Sequence, residues 1–467
     1  MTSFVRYAGC LTTFTETGWL PDLIYTGGGF QSGLAIFADE SGRISRFSSA
    51  AADLAASHRL PGKAILPGLV NSHSHAFQRV LRGRTEHRTS AQHDSFWTWR
   101  EAMYRAANQL SPEGLYHASR MAFLEMALGG ITTVGEFHYM HGTATAWRYR
   151  NELAALVILA AQEIGLRIAL LRTAYARSGW GKPDNPGQAP FLTPRVQDFI
   201  ADTETLRESL AHPRDPGHAW VGIAPHSLRA VPLDYVREVA AYARANDLPV
   251  HMHVSEQPAD VEACLAEYGL RPVELLDREG ILDQRFTAVH AIHVSEEEIL
   301  ALGRAGATVC ACPTTERNLG DGTVPADRLL QAGAAVSLGS DSNVQIDLLE
   351  DARSLEYHLR MAKLERAILT AGHLFSCATE AGARSLVAPG GSLEPGRPAD
   401  FFTVALDDPS LAGADPESLL AHIVFSAERS AVRDVAVGGK FVIRDGCHPR
   451  GEDIVREFVR VQQELWS

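Results

Sequence analysis

The stretch that decides the fold is Pro67-Gly68-Leu69-Val70-Asn71-Ser72-His73-Ser74-His75, an apolar run that leads into two histidines. Because side chains alternate between the two faces of a strand, His73 and His75 point to one side and Ser74 points to the other. Two imidazoles therefore converge on one point. Taken alone, an H-x-H pattern fits a hydrogen-bonded pair of core histidines as well as it fits a metal site.

Short strand-like runs and longer helical patterns alternate from about residue 65 onward. The predicted strands are Ile65–Asn71, Ile131–Phe137, Arg167–Thr173, Val221–Pro225, Pro249–Val254, Phe286–Ile292, Ala307–Cys312 and Ala334–Leu338. Apolar residues recur at helical spacing between them, as in residues 113–128, 151–164, 233–245, 296–302 and 348–369. Eight strands that alternate with helices predict an α/β protein, a (β/α)8 TIM-type barrel.

The two ends of the chain have a different pattern, with short strand-like pieces, Gly-rich turns and no helical spacers. We predict one small β-sandwich domain built from both termini, residues 1–62 and 390–450. The barrel would occupy residues 63–389, and a C-terminal helix residues 451–467. The Gly- and Pro-rich segment Arg177–Pro194 is predicted to form a long loop over the barrel mouth.

Composition and charge exclude several classes of protein. Lys plus Arg number 43 and Asp plus Glu number 56, and the resulting net charge of −13 repels the phosphates of nucleic acids. The longest apolar stretch, near Leu153–Ala161, is far shorter than the roughly 18 residues of a membrane span. The first residues lack the features of a secretory signal, so we expect a cytoplasmic protein without nucleic-acid or membrane partners.

Other predicted strands end in similar residues. The fifth carries His251-Met252-His253-Val254-Ser255-Glu256, the sixth ends near His290 and His293, and the eighth runs into Ser340-Asp341. Active sites of such barrels lie at the carboxyl ends of the strands, so these side chains reach the same rim. Histidine is the commonest ligand of transition metals, and carboxylates supply oxygen ligands. The combined set therefore predicts a metal site.

Together, these motifs and the composite terminal domain resemble the amidohydrolase superfamily of metal-dependent hydrolases over nearly the whole chain. The Glu after the fifth strand and the absence of an obvious bridging Lys make the chain similar to the mononuclear deaminase branch. That resemblance implies one Zn²⁺ per subunit, held by His73, His75, His253 and Asp341. It also implies proton transfer by Glu256 and His290 beside Asp341, with His251 and His293 left either as core residues or as residues that support the ligands.

The chemistry of amine loss needs the same set of groups. Zinc can lower the pKa of a bound water to roughly 7, which makes hydroxide available at neutral pH. Asp341 can accept a proton from the water, and Glu256 can carry protons to the leaving group. His290 can polarise the attacked atom.

Narrower stretches, above all Phe96-Trp97-Thr98-Trp99-Arg100-Glu101, resemble superfamily members that hydrolyse a formimino group on a small dicarboxylate. A dianionic substrate on a chain of net charge −13 needs local cations, and Arg pairs with carboxylate in a bidentate fork. Arg229, after the fourth strand, and Arg100, placed in a loop, are the predicted carboxylate clamps. The resemblance adds Gln78, Tyr139 and His226 to the pocket. The competing interpretation for Arg100 is stacking on Trp97 or Trp99.

Two alternative functions stay open. An aminohydrolase acting on a ring such as guanine, cytosine or a chlorotriazine would share the metal site, but its pocket would be lined by aromatic or amide groups. A non-catalytic barrel protein would keep the fold without the chemistry. Arg100 and Arg229 argue against the first, and metal analysis of the purified protein tests the second. Family members of this kind are often homodimers, but no stretch of this sequence marks an interface.

Overall fold

The computed structural model describes residues 16–87, 95–142, 151–211 and 217–467. Residues 1–15 of the predicted terminal domain lie outside these ranges. The strands are β1 Thr17–Thr26, β2 Gly29–Gln31, β3 Ala35–Ala38, β4 Ile44–Ser48, β5 His58–Pro67, β6 Leu69–Ser74, β7 Ile131–His138, β8 Arg167–Ala174, β9 Ala219–Pro225, β10 Val250–Val254, β11 Phe286–His290, β12 Thr308–Ala311, β13 Ala335–Leu338, β14 Phe401–Ala405, β15 Val432–Val437 and β16 Lys440–Ile443.

The helices are α1 Ala51–Ala56, α2 Phe96–Gln109, α3 Pro112–Leu128, α4 Glu152–Ile164, α5 Val196–Leu210, α6 Leu233–Ala245, α7 Pro258–Tyr268, α8 Pro272–Arg278, α9 Glu296–Ala305, α10 Pro313–Leu319, α11 Ala326–Gln331, α12 Leu348–Lys363, α13 Ala371–Cys377, α14 Glu380–Leu386, α15 Leu419–Phe425 and α16 Gly451–Leu465. Short 3-10 helices cover Ala76–Leu81, Pro186–Phe191 and Arg429–Ala431. Within the described ranges, no helix combines the length and the apolar character that crossing a membrane requires.

Strands β6 to β13 form the predicted barrel. They lie side by side in chain order as one parallel sheet, and a bridge between Ser74 and Asp341 joins the first strand to the segment that follows the last. Every residue of β6, β7 and β8 is buried. Burial on both faces is expected, because inward side chains fill the barrel and helices cover its outside. The structure confirms the (β/α)8 fold.

Strands from both ends of the chain form a second sheet, in the order β16-β15-β14-β5-β1-β3-β4, with β2 paired to β1. Trp19, Ile36 and Phe401 lie in its own small core. A buried ion pair ties this sheet to the barrel: Arg167 on β8 donates from Nε and Nη2 to the carboxylate of Asp400, at 2.7 and 3.1 Å.

The predicted first barrel strand, Ile65–Asn71, is divided in the structure. Residues 65–67 complete β5 of the terminal sheet, and the barrel strand begins only at Leu69. Gly68 makes the transition: its N–H donates to the carbonyl of Asp400 at 3.0 Å, and a Cβ there would lie 2.3 Å from Thr132 Oγ1. Only glycine permits this approach, so the predicted strand boundary was wrong because of a steric contact with a residue distant in the sequence.

Two other predicted elements end early because the backbone turns. The helix predicted over 348–369 ends at Lys363, since Leu364 has φ +58°, and α13 begins at Ala371. The sixth barrel strand ends at His290 rather than Ile292, since His290 and Ala291 have φ of +70° and +50°. Left-handed φ values interrupt both helix and strand.

Candidate active site

The four predicted metal ligands meet at the carboxyl ends of the barrel strands. His73 and His75 come from the end of β6, His253 from β10, and Asp341 follows β13. Their ligand atoms lie within 4.8 Å of one another, and all four residues are buried. Asp341 Oδ1 lies 3.3 Å from His73 Nε2 and 3.2 Å from His75 Nε2. The structure therefore brings together the complete set that the sequence indicated.

The histidine tautomers show that this donor set fits a cation. His75 Nδ1 donates to the carbonyl of Phe137 at 3.0 Å, and His253 Nδ1 donates to the carbonyl of His226 at 3.1 Å. The Nε2 atoms of both rings therefore carry lone pairs. His253 Nε2 also lies 3.2 Å from His73 Nε2, so the Nε2 atoms of these two rings meet at one point.

The protonation states of the cluster agree with this interpretation. Burial lowers the pKa of His73 to about 3 and that of His253 well below its usual range, so both rings are neutral near pH 7. Burial alone would raise the pKa of Asp341, but the adjacent His73 and His75 hold it well below its usual range. Neutral imidazoles with one carboxylate are a donor set that suits Zn²⁺ and related first-row divalent ions.

Backbone hydrogen bonds hold these ligands in place. The N–H of Asp341 donates to the carbonyl of His73 at 3.0 Å, and the N–H of His75 donates to the carbonyl of Asp341 at 2.9 Å. Beside them, the side chain of Asn71 donates to Ser340 Oγ at 2.7 Å. We call this contact between β6 and the segment after β13 the barrel seam. Three of the four ligands are thus part of the junction that closes the barrel.

Two candidate proton-transfer groups border the cluster. His290 Nε2 lies 3.6 Å from Glu256 Oε1 and 3.8 Å from Asp341 Oδ2. Burial raises the pKa of Glu256 to about 7. Burial alone would lower the pKa of His290, but the nearby carboxylates of Glu256, Glu316 and Asp341 raise it well above its usual range. A carboxyl that titrates near neutral pH is suited to carrying a proton.

Sequence reasoning missed two carboxyl groups near His290. Glu316, in the first turn of α10, lies 3.3 Å from His290 Nδ1. Asp321 accepts a hydrogen bond from the side chain of Gln257, and burial raises its pKa to about 9. A usable signal for Glu316 existed, because the first turn of a helix that follows a barrel strand faces the active-site rim.

The two histidines left as core residues make structural hydrogen bonds. His251 Nε2 lies 2.9 Å from the carbonyl of Ser385, and His293 Nε2 lies 2.9 Å from the carbonyl of Asp321. Neither ring belongs to the cluster of four predicted ligands.

A pocket opens beside the metal cluster, and all five predicted substrate-binding residues line it. Helix α2 contributes much of the wall, and the long segment 177–194 lies against that helix, with Asn108 Nδ2 donating to the carbonyl of Gly187 at 2.7 Å. The residues that line the pocket are His75, Gln78, Phe96, Trp99, Arg100, Met103, Tyr104, Tyr139, Tyr175, His226, Arg229, His253, Glu256, Leu319 and Asp341.

Arg100 lies on helix α2, so its predicted placement in a loop was wrong. Ser95 and Thr98 form a capping box that starts this helix within a Trp-rich stretch. The guanidinium donates to the hydroxyl of Tyr104 and, at 3.2 Å, to that of Tyr175. It also lies 5.4 Å from the ring centroid of Trp97. Arg100 therefore both faces the pocket and contacts an indole ring.

Arg229 carries an unsatisfied donor into the same pocket. Its Nε donates to Asp260 Oδ1 at 2.9 Å, whereas Nη1 is buried and has no hydrogen-bond partner in the part of the chain that the structure describes. Buried guanidinium nitrogens are rarely left unpaired, since desolvation of a charged donor is costly. The arrangement leaves Nη1 available to an anionic group of a ligand.

Neutral side chains complete the pocket. Gln78 Nε2 donates to the hydroxyl of Tyr139 at 2.8 Å, and the ring centroid of His226 lies 4.6 Å from that of Tyr175. Gln188, which sequence reasoning missed, donates to the hydroxyls of Tyr104 and Tyr175 at 2.8 and 3.0 Å. The wall around Arg100 is thus a connected network of hydroxyl and amide groups.

The model of the Amidohydrolase family matches residues 64–442, and the chain belongs to this family. It is similar to a formimidoylglutamate deiminase of Pseudomonas aeruginosa, with 39% identity over 418 residues, 86% of this chain and 90% of that protein. It is 30% identical over 388 residues to an 8-oxoguanine deaminase of the same organism, covering 82% of this chain and 83% of that one. The crystal structure of an amidohydrolase from Brucella melitensis superposes with a TM-score of 0.89 at 33% identity, over 97% of this chain and 100% of that chain.

Proposed function

We propose that this protein is a zinc-dependent deiminase that hydrolyses N-formimino-L-glutamate to N-formyl-L-glutamate and ammonia. The observation that carries the proposal is the pair of guanidinium groups, Arg100 and Arg229, in the pocket that contains the metal cluster. The 39% identity to a formimidoylglutamate deiminase supports the same reaction.

A dicarboxylate substrate explains the cationic wall. Most of the surface of a chain with net charge −13 repels an anion, so binding depends on local positive charge. Arg229 Nη1 would donate to one carboxylate of the substrate tail, and Arg100 with Tyr104 and Tyr175 would receive the other. Guanidinium and carboxylate match in shape as well as in charge, which fixes the orientation of the tail.

The formimino end of such a substrate would then lie toward the metal cluster. A divalent metal held by His73, His75, His253 and Asp341 supplies the Lewis acidity that makes water a nucleophile near neutral pH. Water adds to the formimino carbon, and the bond from that carbon to the terminal nitrogen breaks. The products are the formyl compound and ammonia.

The protein's own residues move the protons in this reaction. Asp341 Oδ2, on the side that faces His290 Nε2, takes a proton from the attacking water. Glu256, 3.6 Å from the same nitrogen, delivers a proton to the departing nitrogen atom. His290 Nε2 lies between the two carboxylates and stabilises the charge that develops on the attacked group.

A ring substrate is the alternative, because the chain is also 30% identical to an 8-oxoguanine deaminase. A neutral purine would offer Arg229 Nη1 no anionic partner, and a buried donor that stays unsatisfied opposes binding. The pocket therefore favours the anionic, linear substrate.

The test measures ammonia release by zinc-loaded protein from N-formimino-L-glutamate, with N-formimino-L-aspartate, guanine and 8-oxoguanine in parallel. We expect rapid turnover of the glutamate compound and one zinc per subunit by elemental analysis. Release from a purine alone would replace the substrate assignment with the ring alternative. No release from any compound, with zinc bound, would refute the deaminase proposal.

A further inference from the structure

The two ring nitrogens of His290 face different surroundings. Nε2 has no hydrogen-bond partner among the described residues and faces the carboxylates of Glu256 and Asp341, at 3.6 and 3.8 Å. Nδ1 lies 3.3 Å from Glu316 Oε1. One nitrogen is therefore directed at the reaction site, and the other is held by a carboxylate that does not line the pocket.

Glu316 is itself fixed by the backbone. Its side chain is 1% exposed, and Oε1 accepts the N–H of Cys312 at 2.8 Å. Cys312 is the residue just before helix α10, so this hydrogen bond links the Glu316 side chain to the start of its own helix. An oxygen that already accepts an N–H acts as an acceptor toward His290 as well. Nδ1 of His290 must then carry the proton in this contact.

Different contacts fix the main chain and the side chain of His290. His290 and Ala291 have consecutive positive φ values of +70° and +50°, a conformation that persists only where surrounding contacts impose it. The N–H of Ala291 donates to the carbonyl of Val254 at 2.9 Å and fixes the main chain. The contact with Glu316 fixes the side chain.

We propose that Glu316 is a positioning residue that accepts a hydrogen bond from Nδ1 of His290 and thereby orients the ring with Nε2 toward Glu256 and Asp341. This role rests on the proposed function only for the kinetic test, which measures turnover of the proposed substrate. Without the carboxylate, Nδ1 loses its acceptor and the ring is free to rotate. Because Glu316 does not line the pocket, its loss affects the chemical step and leaves substrate binding unchanged.

The kinetic test uses Glu316→Gln, whose neutral amide oxygen still accepts the Cys312 N–H but no longer forms a charge-assisted hydrogen bond with His290 Nδ1. We expect kcat to fall about 10- to 100-fold, the range known for carboxylates that orient metal-bound histidines, with KM within twofold. The matched control is Glu356→Gln. Glu356 is equally buried and accepts the N–H groups of Ile368 and Leu369 away from the site, so this variant should keep the wild-type kcat.

A second measurement does not depend on the substrate. A long-range ¹H–¹⁵N spectrum of the zinc-loaded protein, with ¹⁵N-labelled histidine, reports which ring nitrogen is protonated, and the signals missing from His290→Asn assign this ring. We expect Nδ1 to be protonated in the wild type and its signal to shift in Glu316→Gln.

The outcomes separate the two proposals. A wild-type His290 protonated on Nε2 alone would overturn the positioning role, even if Glu316→Gln fails to fold. An unchanged kcat in folded, fully metallated Glu316→Gln would also overturn it. Failure of N-formimino-L-glutamate as a substrate would leave the spectroscopic result standing, because that result concerns the ring and not the substrate.

Discussion

Replacing Arg229 with Met is the most direct test of the carboxylate-binding pocket. Nε of Arg229 is committed to Asp260, so the unpartnered Nη1 is the donor that a substrate carboxylate gains. A hydrogen bond to a charged group contributes about 1.5–3 kcal/mol, and about 1.4 kcal/mol corresponds to a tenfold change in affinity. We therefore expect KM for N-formimino-L-glutamate to rise about 10- to 150-fold. The value of kcat should change little, because the guanidinium contacts the substrate tail and not the reacting carbon.

KM and kcat are measured by steady-state ammonia release. Two further variants separate the loss of the substrate contact from other effects of the substitution. Arg229→Met leaves Asp260 without its cation, so it is compared with the double variant that also carries Asp260→Asn, which removes the stranded charge. Arg237→Met is the control, because Arg237 is 46% exposed and its pair with Glu279 lies on the surface of α6. A KM within twofold of wild type in both Arg229 variants, or a fall confined to kcat, would show that Arg229 does not bind the substrate.

Three other outcomes test the site and the fold. Glu256→Gln and Asp341→Asn should each lower kcat by about 10²- to 10⁴-fold while the circular dichroism spectrum stays native; near-wild-type turnover would contradict the assigned role. Dialysis against a chelator should abolish turnover and lower the melting temperature, and added Zn²⁺ should restore both; turnover that survives complete metal loss would rule out a metal-dependent reaction. Asp400→Ala should lower the free energy of unfolding by about 3–5 kcal/mol, because it leaves the buried Arg167 without a counter-charge. The variant Arg167→Met with Asp400→Leu should recover much of this loss, and equal destabilisation of the two variants would point to packing instead.

Part of the predicted metal site follows from local sequence patterns. Alternation along a strand places His73 and His75 on one face, and barrel topology brings the ends of separate strands to one rim. The structure gathers His253 and Asp341 with them, within 4.8 Å. The strand period and the fold class indicated a metal site at this rim, but the choice of His253 over His251 as a ligand came from the resemblance to the amidohydrolase superfamily.

The features that the sequence did not predict depend on tertiary contacts. The pairing of Arg229 with Asp260 joins residues on different elements, and nothing near Arg229 in the sequence indicates it. The position of Glu316 in the first turn of α10 indicates a place near the rim, but nothing in the sequence indicates its contact with His290. Gly68 ends a strand because of a close approach to Thr132, a neighbour more than sixty residues away in the chain. Periodicity carries no information on such contacts.

The barrel seam has a consequence for how the chain is made. His73 and His75 leave the ribosome early, whereas Asp341, the last of the four ligands, follows about 270 residues later by their sequence positions. At a synthesis rate of about 5–20 residues per second, this separation leaves the cluster incomplete for roughly 15 to 50 seconds. During that time the early histidines have neither the carboxylate nor the backbone partners that the seam supplies. The cluster is thus completed when the barrel closes. A metal ion that needs all four side chains can be bound tightly only after the first barrel strand contacts the segment that follows the last one.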